Sequence, residues 1–104
     1  MAQPSDSVRV TERAAWALGG ALGLENTIEA CAIPVSNSQR DELRNAIAVL
    51  QKKIGAPDRM IANTRRDMRA GNSEEPWISI KEEICKDHRA RFAKFLAEVL
   101  AASK

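Results

Sequence analysis

Two cysteines, a single histidine and a run of arginines are the residues whose types could carry chemistry in this chain. Cys85 and His88 lie one helical turn apart, so a helix would present them on one side. A thiolate and an imidazole can share a zinc ion, and a neighbouring imidazolium can activate a thiol as a nucleophile. Both readings lack partners. A zinc site needs three or four protein ligands, and beyond Cys31, Cys85 and His88 the chain offers only carboxylates. A nucleophile on a continuous helix also lacks the oxyanion donors that acyl transfer requires. His88 is therefore expected at an interface, where its protonation would make association pH-sensitive. Cys31 and Cys85 both fall on inward faces. For a cytoplasmic protein, buried reduced thiols are the expected state and a disulfide is the alternative.

The basic run Arg65, Arg66 and Arg69 closes a helical segment in which Arg59 stands near the start. Cations at a helix C-terminus complement its dipole. As a functional alternative, Arg59, Arg65, Arg66 and Arg69 could contact phosphates in a nucleic-acid-binding regulator. A helix–turn–helix would present the beginning of its second helix to the groove, yet here the cluster sits at the end. No aromatic residue interleaves with it for base stacking. Glycine-rich phosphate loops, HExxH pairs, EF-hand loops and hydrolase-like Ser/His/Asp sets are missing from the sequence. The paired carboxylates Glu74-Glu75 and Glu82-Glu83 read as acidic helix starts. No catalytic residue, metal or cofactor is expected, and the chain reads as a non-enzyme.

Helical periodicity supplies the elements that must position these residues. Residues 1–10 contain Pro4, Ser5 and Ser7 and read as a flexible N-terminal arm, followed by a single helical domain over 11–104. Thr11 would cap a helix from Glu12 to about Ala32, with Ala14, Ala17, Leu18, Ala21, Leu24 and Ile28 on one broad side. Gly19, Gly20 and Gly23 each cost ~1 kcal/mol relative to Ala there. The repeat Ala15, Gly19, Gly23 suggests a groove for a close helix crossing, with a kink at Gly19-Gly20 as the alternative.

Pro34 ends this helix, and Ser36 with Gln39 offers a capping box for the next. Leu43, Ala46, Ile47, Leu50 and Ile54 then recur at helical spacing up to Gly55. Pro57 starts a third helix with Met60, Ile61, Thr64 and Met68 as its stripe, ending at Gly71-Asn72-Ser73. The fourth begins at Pro76, or at Ser79 if Ser79 and Glu82 form a capping box. Its stripe is Trp77, Ile80, Ile84, His88, Phe92, Phe95 and Val99, flanked by Cys85, Leu96 and Leu100.

Composition bears on assembly. Of 104 residues 17 are Ala, with two Trp, two Phe and no Tyr, so a single-chain core would be thin. The fourth helix would extend ~40 Å against a radius of gyration of ~13 Å for a 100-residue globule. Its stripe would then need a second chain, and a homodimer is expected. The fold class follows: all-α, a bundle of about four helices with a long C-terminal amphipathic helix.

Net charge is +2, with the first 35 residues on the negative side. Ala14–Leu24 and the following Ala30-Cys31-Ala32 superficially resemble a signal peptide. Asp6, Glu12, Glu25 and Glu29 interrupt that pattern, and the apolar run is short of the ~20 residues of a membrane span. A cytoplasmic, non-membrane protein is expected. The resulting functional expectation is a small helical regulator that occupies a partner protein's surface as an inhibitor or anti-activator. Its interface would draw on Trp16, Trp77, Ile78, Ile84, His88, Phe92, Phe95, Leu96 and Val99, against an unidentified protein partner.

Overall fold

A computed structural model describes residues 6–104, with side chains described from Thr11 onward. Four helices account for nearly all of it: α1 (Asp6–Cys31), α2 (Asn37–Ile54), α3 (Asp58–Gly71) and α4 (Trp77–Ser103). No strand occurs among the described residues. Helix α1 begins at Asp6, more than a turn before the expected Glu12. The latter part of the expected arm is thus helical, while residues 1–5 lie outside the described residues.

The local signals that terminate helices act as expected at α2. The Ser36 hydroxyl accepts from Gln39 N–H at 3.1 Å, and Gln39 Oε1 accepts from Ser36 N–H at 2.9 Å. Two orphan donors are thereby satisfied at once. At the other end Gly55 adopts φ 68°, and Ala56 N–H donates to the Gln51 carbonyl at 3.1 Å, closing a left-handed cap. Helix α1 stops in the same way, but on a residue with a Cβ. Ala32 has φ 51°, and Ile33 N–H donates to the Ile28 carbonyl at 3.0 Å. Pro34 thus lies beyond a cap already formed. At α4 the expected Ser79/Glu82 box is replaced by Glu75, whose carboxylate accepts from both the backbone N–H and the hydroxyl of Ser79. That helix starts at Trp77, after a cis Glu75–Pro76 bond.

Helix α1 is the hub, packing against α2, α4 and α3, while α2 also packs on α4. Ala14, Leu18, Ala21, Leu24 and Ile28 form its buried side, and Leu22 is buried as well. Ala14–Leu24, which resembles a leader's apolar segment, is thus a main part of the core. Small Ala21 and Ala46 are completely buried, which lets helices approach closely around larger Leu50 and Ile47. Ile61 is the buried anchor of α3, whereas Met60 is 52% exposed and drops out of its expected stripe.

A disulfide joins Cys31 to Cys85, with Cα atoms 5.3 Å apart, and replaces the expected pair of reduced thiols. The two cysteines are buried, one ending α1 and the other in the third turn of α4. Arg89 Nη2 donates to the Cys31 carbonyl at 2.8 Å, so a cation also caps the α1 C-terminus. Elsewhere α1 is tied to α3 by polar contacts. Asn26 and Asn72 exchange two amide hydrogen bonds at 2.9 and 3.1 Å, and Glu25 receives two from Arg65 at 2.7 and 3.2 Å.

The α4 stripe finds its partner helices within the chain. Cys85, Phe92, Leu96 and Val99 are buried in the shared core, and Trp77, Phe95 and Leu100 pack against it. The molecule measures 45 × 29 × 28 Å, long enough to lay α1 beside most of α4. The reason is the early start of α1: its 26 residues make it ~39 Å long, almost matching α4. The argument that an uncovered aromatic stripe demands a second chain therefore loses its premise.

Candidate functional site

The residues proposed for an interface from the sequence separate into two groups. Phe92, Leu96 and Val99 are buried, Ile84 is half-buried, and Trp77 packs against the core with its Nε1 unpaired among the described residues. Ile78 is 56% exposed, and its neighbour Ile80, from the expected α4 stripe rather than the interface set, 41%. Standing two residues apart on a helix, they point in nearly opposite directions and form no common patch.

A different constellation emerges along α1 and α4, which run antiparallel. Cys31 at the end of α1 is bonded to Cys85 early in α4, and Ala17 near the middle of α1 shares a groove with Glu98 and Val99 near the end of α4. Between them opens a groove of about 540 Å³. Gly20, Gly23 and Thr27 contribute from α1, and His88, Phe95 and Val99 from α4, with Trp16 at one end. Four residues named from the sequence, Trp16, His88, Phe95 and Val99, thus converge.

Each part of this groove has a local cause. Trp16 falls on the side of α1 opposite its buried row and is 85% exposed, the largest apolar group left in water. An added Cβ at Gly19, Gly20 or Gly23 would meet nothing within 4 Å. The expected close helix crossing at Ala15, Gly19 and Gly23 is therefore absent within the chain, and α1 continues as helix through all three glycines. Their lack of side chains instead makes a shallow floor. Thr27, itself buried, holds its hydroxyl back on the Gly23 carbonyl at 2.8 Å.

The α4 wall is aromatic. His88 Nδ1–H donates to the Ile84 carbonyl at 3.0 Å, and its ring centroid is 5.1 Å from that of Phe95. Arg91 lays its guanidinium 4.9 Å from the Phe95 centroid and also approaches Asp87 at 3.7 Å. His88 is thus a packing residue on a groove wall. Cys85 has no thiol to give to a zinc ion or an acyl group while it is bonded to Cys31. Among the described residues no three His, Cys, Asp or Glu side chains gather as metal ligands.

The arginine cluster pairs with acidic side chains, Arg65 partly buried and Arg66 and Arg69 exposed. Arg65 pairs with Glu25, Arg69 approaches Glu29 at 3.5 Å, and Arg66 approaches Asp67 at 3.5 Å. Each cation of the run therefore has an acidic neighbour, and two of those neighbours come from the negative α1. Arg59 remains exposed. A second cavity, about 510 Å³, lies between the end of α1 and α2 and mixes Glu25 and Glu29 with Arg40 and Arg44 around Ile33 and Phe92. Its charges balance one another and single out no ligand.

The sequence points to Trp16 and to the small-residue row as a groove for a close helix crossing. The readable signal was the angular position: Trp16, Gly20, Gly23 and Thr27 share a stripe opposite Ala14, Leu18, Ala21 and Ile28. Comparisons with protein-family models, with curated proteins and with solved structures find no match to this chain.

Proposed function

We propose that this chain is a small, disulfide-braced protein-binding regulator that acts by docking the α1/α4 groove against a helical surface of a partner, as an inhibitor or anti-activator would. The observation that carries this reading is Trp16, 85% exposed beside glycines at which an added Cβ would meet nothing within 4 Å. Covering a Trp removes on the order of 200 Å² from water, a gross gain of ~5 kcal/mol before association costs. Tryptophan surrounded by a shallow apolar depression is the composition of an interface anchor. The lack of Cβ atoms on the floor would let a helix backbone approach closely, and the aromatic wall of Phe95 and His88 would flank it.

A buried disulfide supports an oxidising compartment for this activity in place of the cytoplasm expected from the interrupted leader pattern. Among the described residues no helix is long and apolar enough to cross a membrane. The nucleic-acid alternative loses support because Arg65 and Arg69 face Glu25 and Glu29 of α1.

The test is capture of partners by the tagged, oxidised chain from its native host, with nuclease present. A partner retained by the wild type and by the Arg65→Gln/Arg66→Gln/Arg69→Gln variant, but lost with Trp16→Ala, is the expected result. Retention that depends on the arginines and vanishes with nuclease would replace this reading by the nucleic-acid one.

A further inference from the structure

We infer that the Cys31–Cys85 bond is a redox-operated latch: it holds the first half of α4 on α1, and its reduction releases that half while the rest of the bundle stays folded. The latch belongs to the fold and is independent of what docks on the α1/α4 groove.

The two halves of α4 are held by different means. In the second half Phe92, Leu96 and Val99 are buried at intervals of three and four, the spacing of a helix face set into a core. Residues 77–91, roughly four turns, bury a single side chain, and it is Cys85. Trp77, Ile84 and His88 are half-buried, and every other side chain of that half is exposed. The indole N–H of Trp77 is covered without a partner among the described residues, which offsets part of what its ring gains by packing. Arg91 and Asp87 pair within α4 itself, and Arg89 reaches α1 only at the Cys31 carbonyl, beside the bond.

The α1 side is anchored without the bond. Ile28 and Ile33 are buried on either side of Cys31, and Ile33 N–H closes the helix cap on the Ile28 carbonyl at 3.0 Å. When the bond is cut, the half-helix of α4 is therefore the part that moves. Helices shorter than ~12–15 residues are marginal in water unless packing holds them, so the released half frays from Trp77 toward Phe92.

The operating step is thiol–disulfide exchange with a dithiol. Its thiolate attacks one cysteine sulfur, and the other sulfur leaves as a thiolate and takes up a proton. The second thiol of the reductant then displaces the first bond, so the reductant becomes a disulfide and the chain gains two thiols and two electrons. Both sulfurs belong to buried residues, so the exchange proceeds through transient fraying of the same half-helix. Release also divides the groove wall, because His88 lies on the latched half and Phe95, 5.1 Å from it, on the half that stays.

Hydrogen exchange read by mass spectrometry tests this on the full chain in three forms: oxidised, reduced by dithiothreitol, and Cys31→Ala with Cys85→Ala. The second half of α4 is the internal reference. The exchange rate of amides 81–91 divided by that of amides 96–103 should rise at least about tenfold in both bond-free forms, and return when the wild type is reoxidised. A general loss of stability drives the two segments toward one rate and so leaves this ratio unchanged or lowers it. A smaller rise, no change or a fall overturns the inference, complete unfolding of the bond-free chain included. A bond that dithiothreitol leaves intact for hours in the folded chain overturns the redox operation of the latch, whatever the double variant does.

Discussion

The two sides of helix α1 share one backbone and both carry small residues, yet they have opposite roles. One side buries Ala14, Leu18, Ala21, Leu24 and Ile28 and ends in a disulfide to α4. The other exposes Trp16 and runs across three glycines at which an added Cβ would meet nothing within 4 Å. On the inner side small residues serve closeness, because a completely buried Ala21 leaves no gap between packed helices. On the outer side small residues leave a depression that no part of the chain fills. Small side chains alone therefore do not mark a packed crossing; what the neighbouring helices cover decides their role.

The contrast can be broken most forcefully at the disulfide. Replacing both cysteines, Cys31→Ser with Cys85→Ser, frees a loop of 54 residues in the unfolded state and should lower stability by about 4 kcal/mol. Urea unfolding of the oxidised wild type and of the variant measures this directly. A loss below ~1 kcal/mol would mean that packing alone holds α1 to α4.

Next comes the inner row itself. Leu18→Ala, at a position only 4% exposed, should cost about 3 kcal/mol in the same assay. The outer side should respond with the opposite sign. Gly19→Ala, measured in dilute solution, should stabilise the folded chain by about 1 kcal/mol and raise the melting temperature by roughly 4–8 °C. Destabilisation by Gly19→Ala would reveal a contact on the side described as open.

A smaller effect tests how the inner row ends. Ala32 holds a left-handed conformation, as Gly55 does at the end of α2. Ala32→Gly should relieve the Cβ clash and gain about 0.5 kcal/mol after the greater entropy of Gly in the unfolded state, whereas Gly55→Ala should lose about 1 kcal/mol. Smallest of all is Trp16→Ala, which should change stability in dilute solution by less than about 0.5 kcal/mol. Its effect belongs to association, and a calorimetric scan beside a sedimentation run separates the two.

Much of the fold was legible because helix signals are local. The capping box of Ser36 and Gln39, the stop at Gly55 and the row Leu43, Ala46, Ile47, Leu50 lie within a few residues of the atoms they affect. The start of α1 was less legible, since Ser5 and Ser7 resemble turn residues while the helix runs from Asp6. The site was half legible. Trp16, His88, Phe95 and Val99 were identifiable as apolar or aromatic residues on helical stripes, but Phe92 and Leu96, only a few positions away on α4, face inward. The wheel gives the angle between such residues and leaves open which angle neighbouring helices will cover.

The sequence by itself determined four helices, their approximate ends and the amphipathic faces of α2 and α4, because those depend on interactions over three or four residues. Tertiary structure decided the rest. It joined Cys31 to Cys85, turned Arg65 and Arg69 toward Glu25 and Glu29, and covered the α4 stripe with the chain's own helices. It also left open space above the glycines of α1. Each of these depends on groups tens of residues apart being brought within a few ångströms, or kept from it, by the packing of whole helices around a shared core.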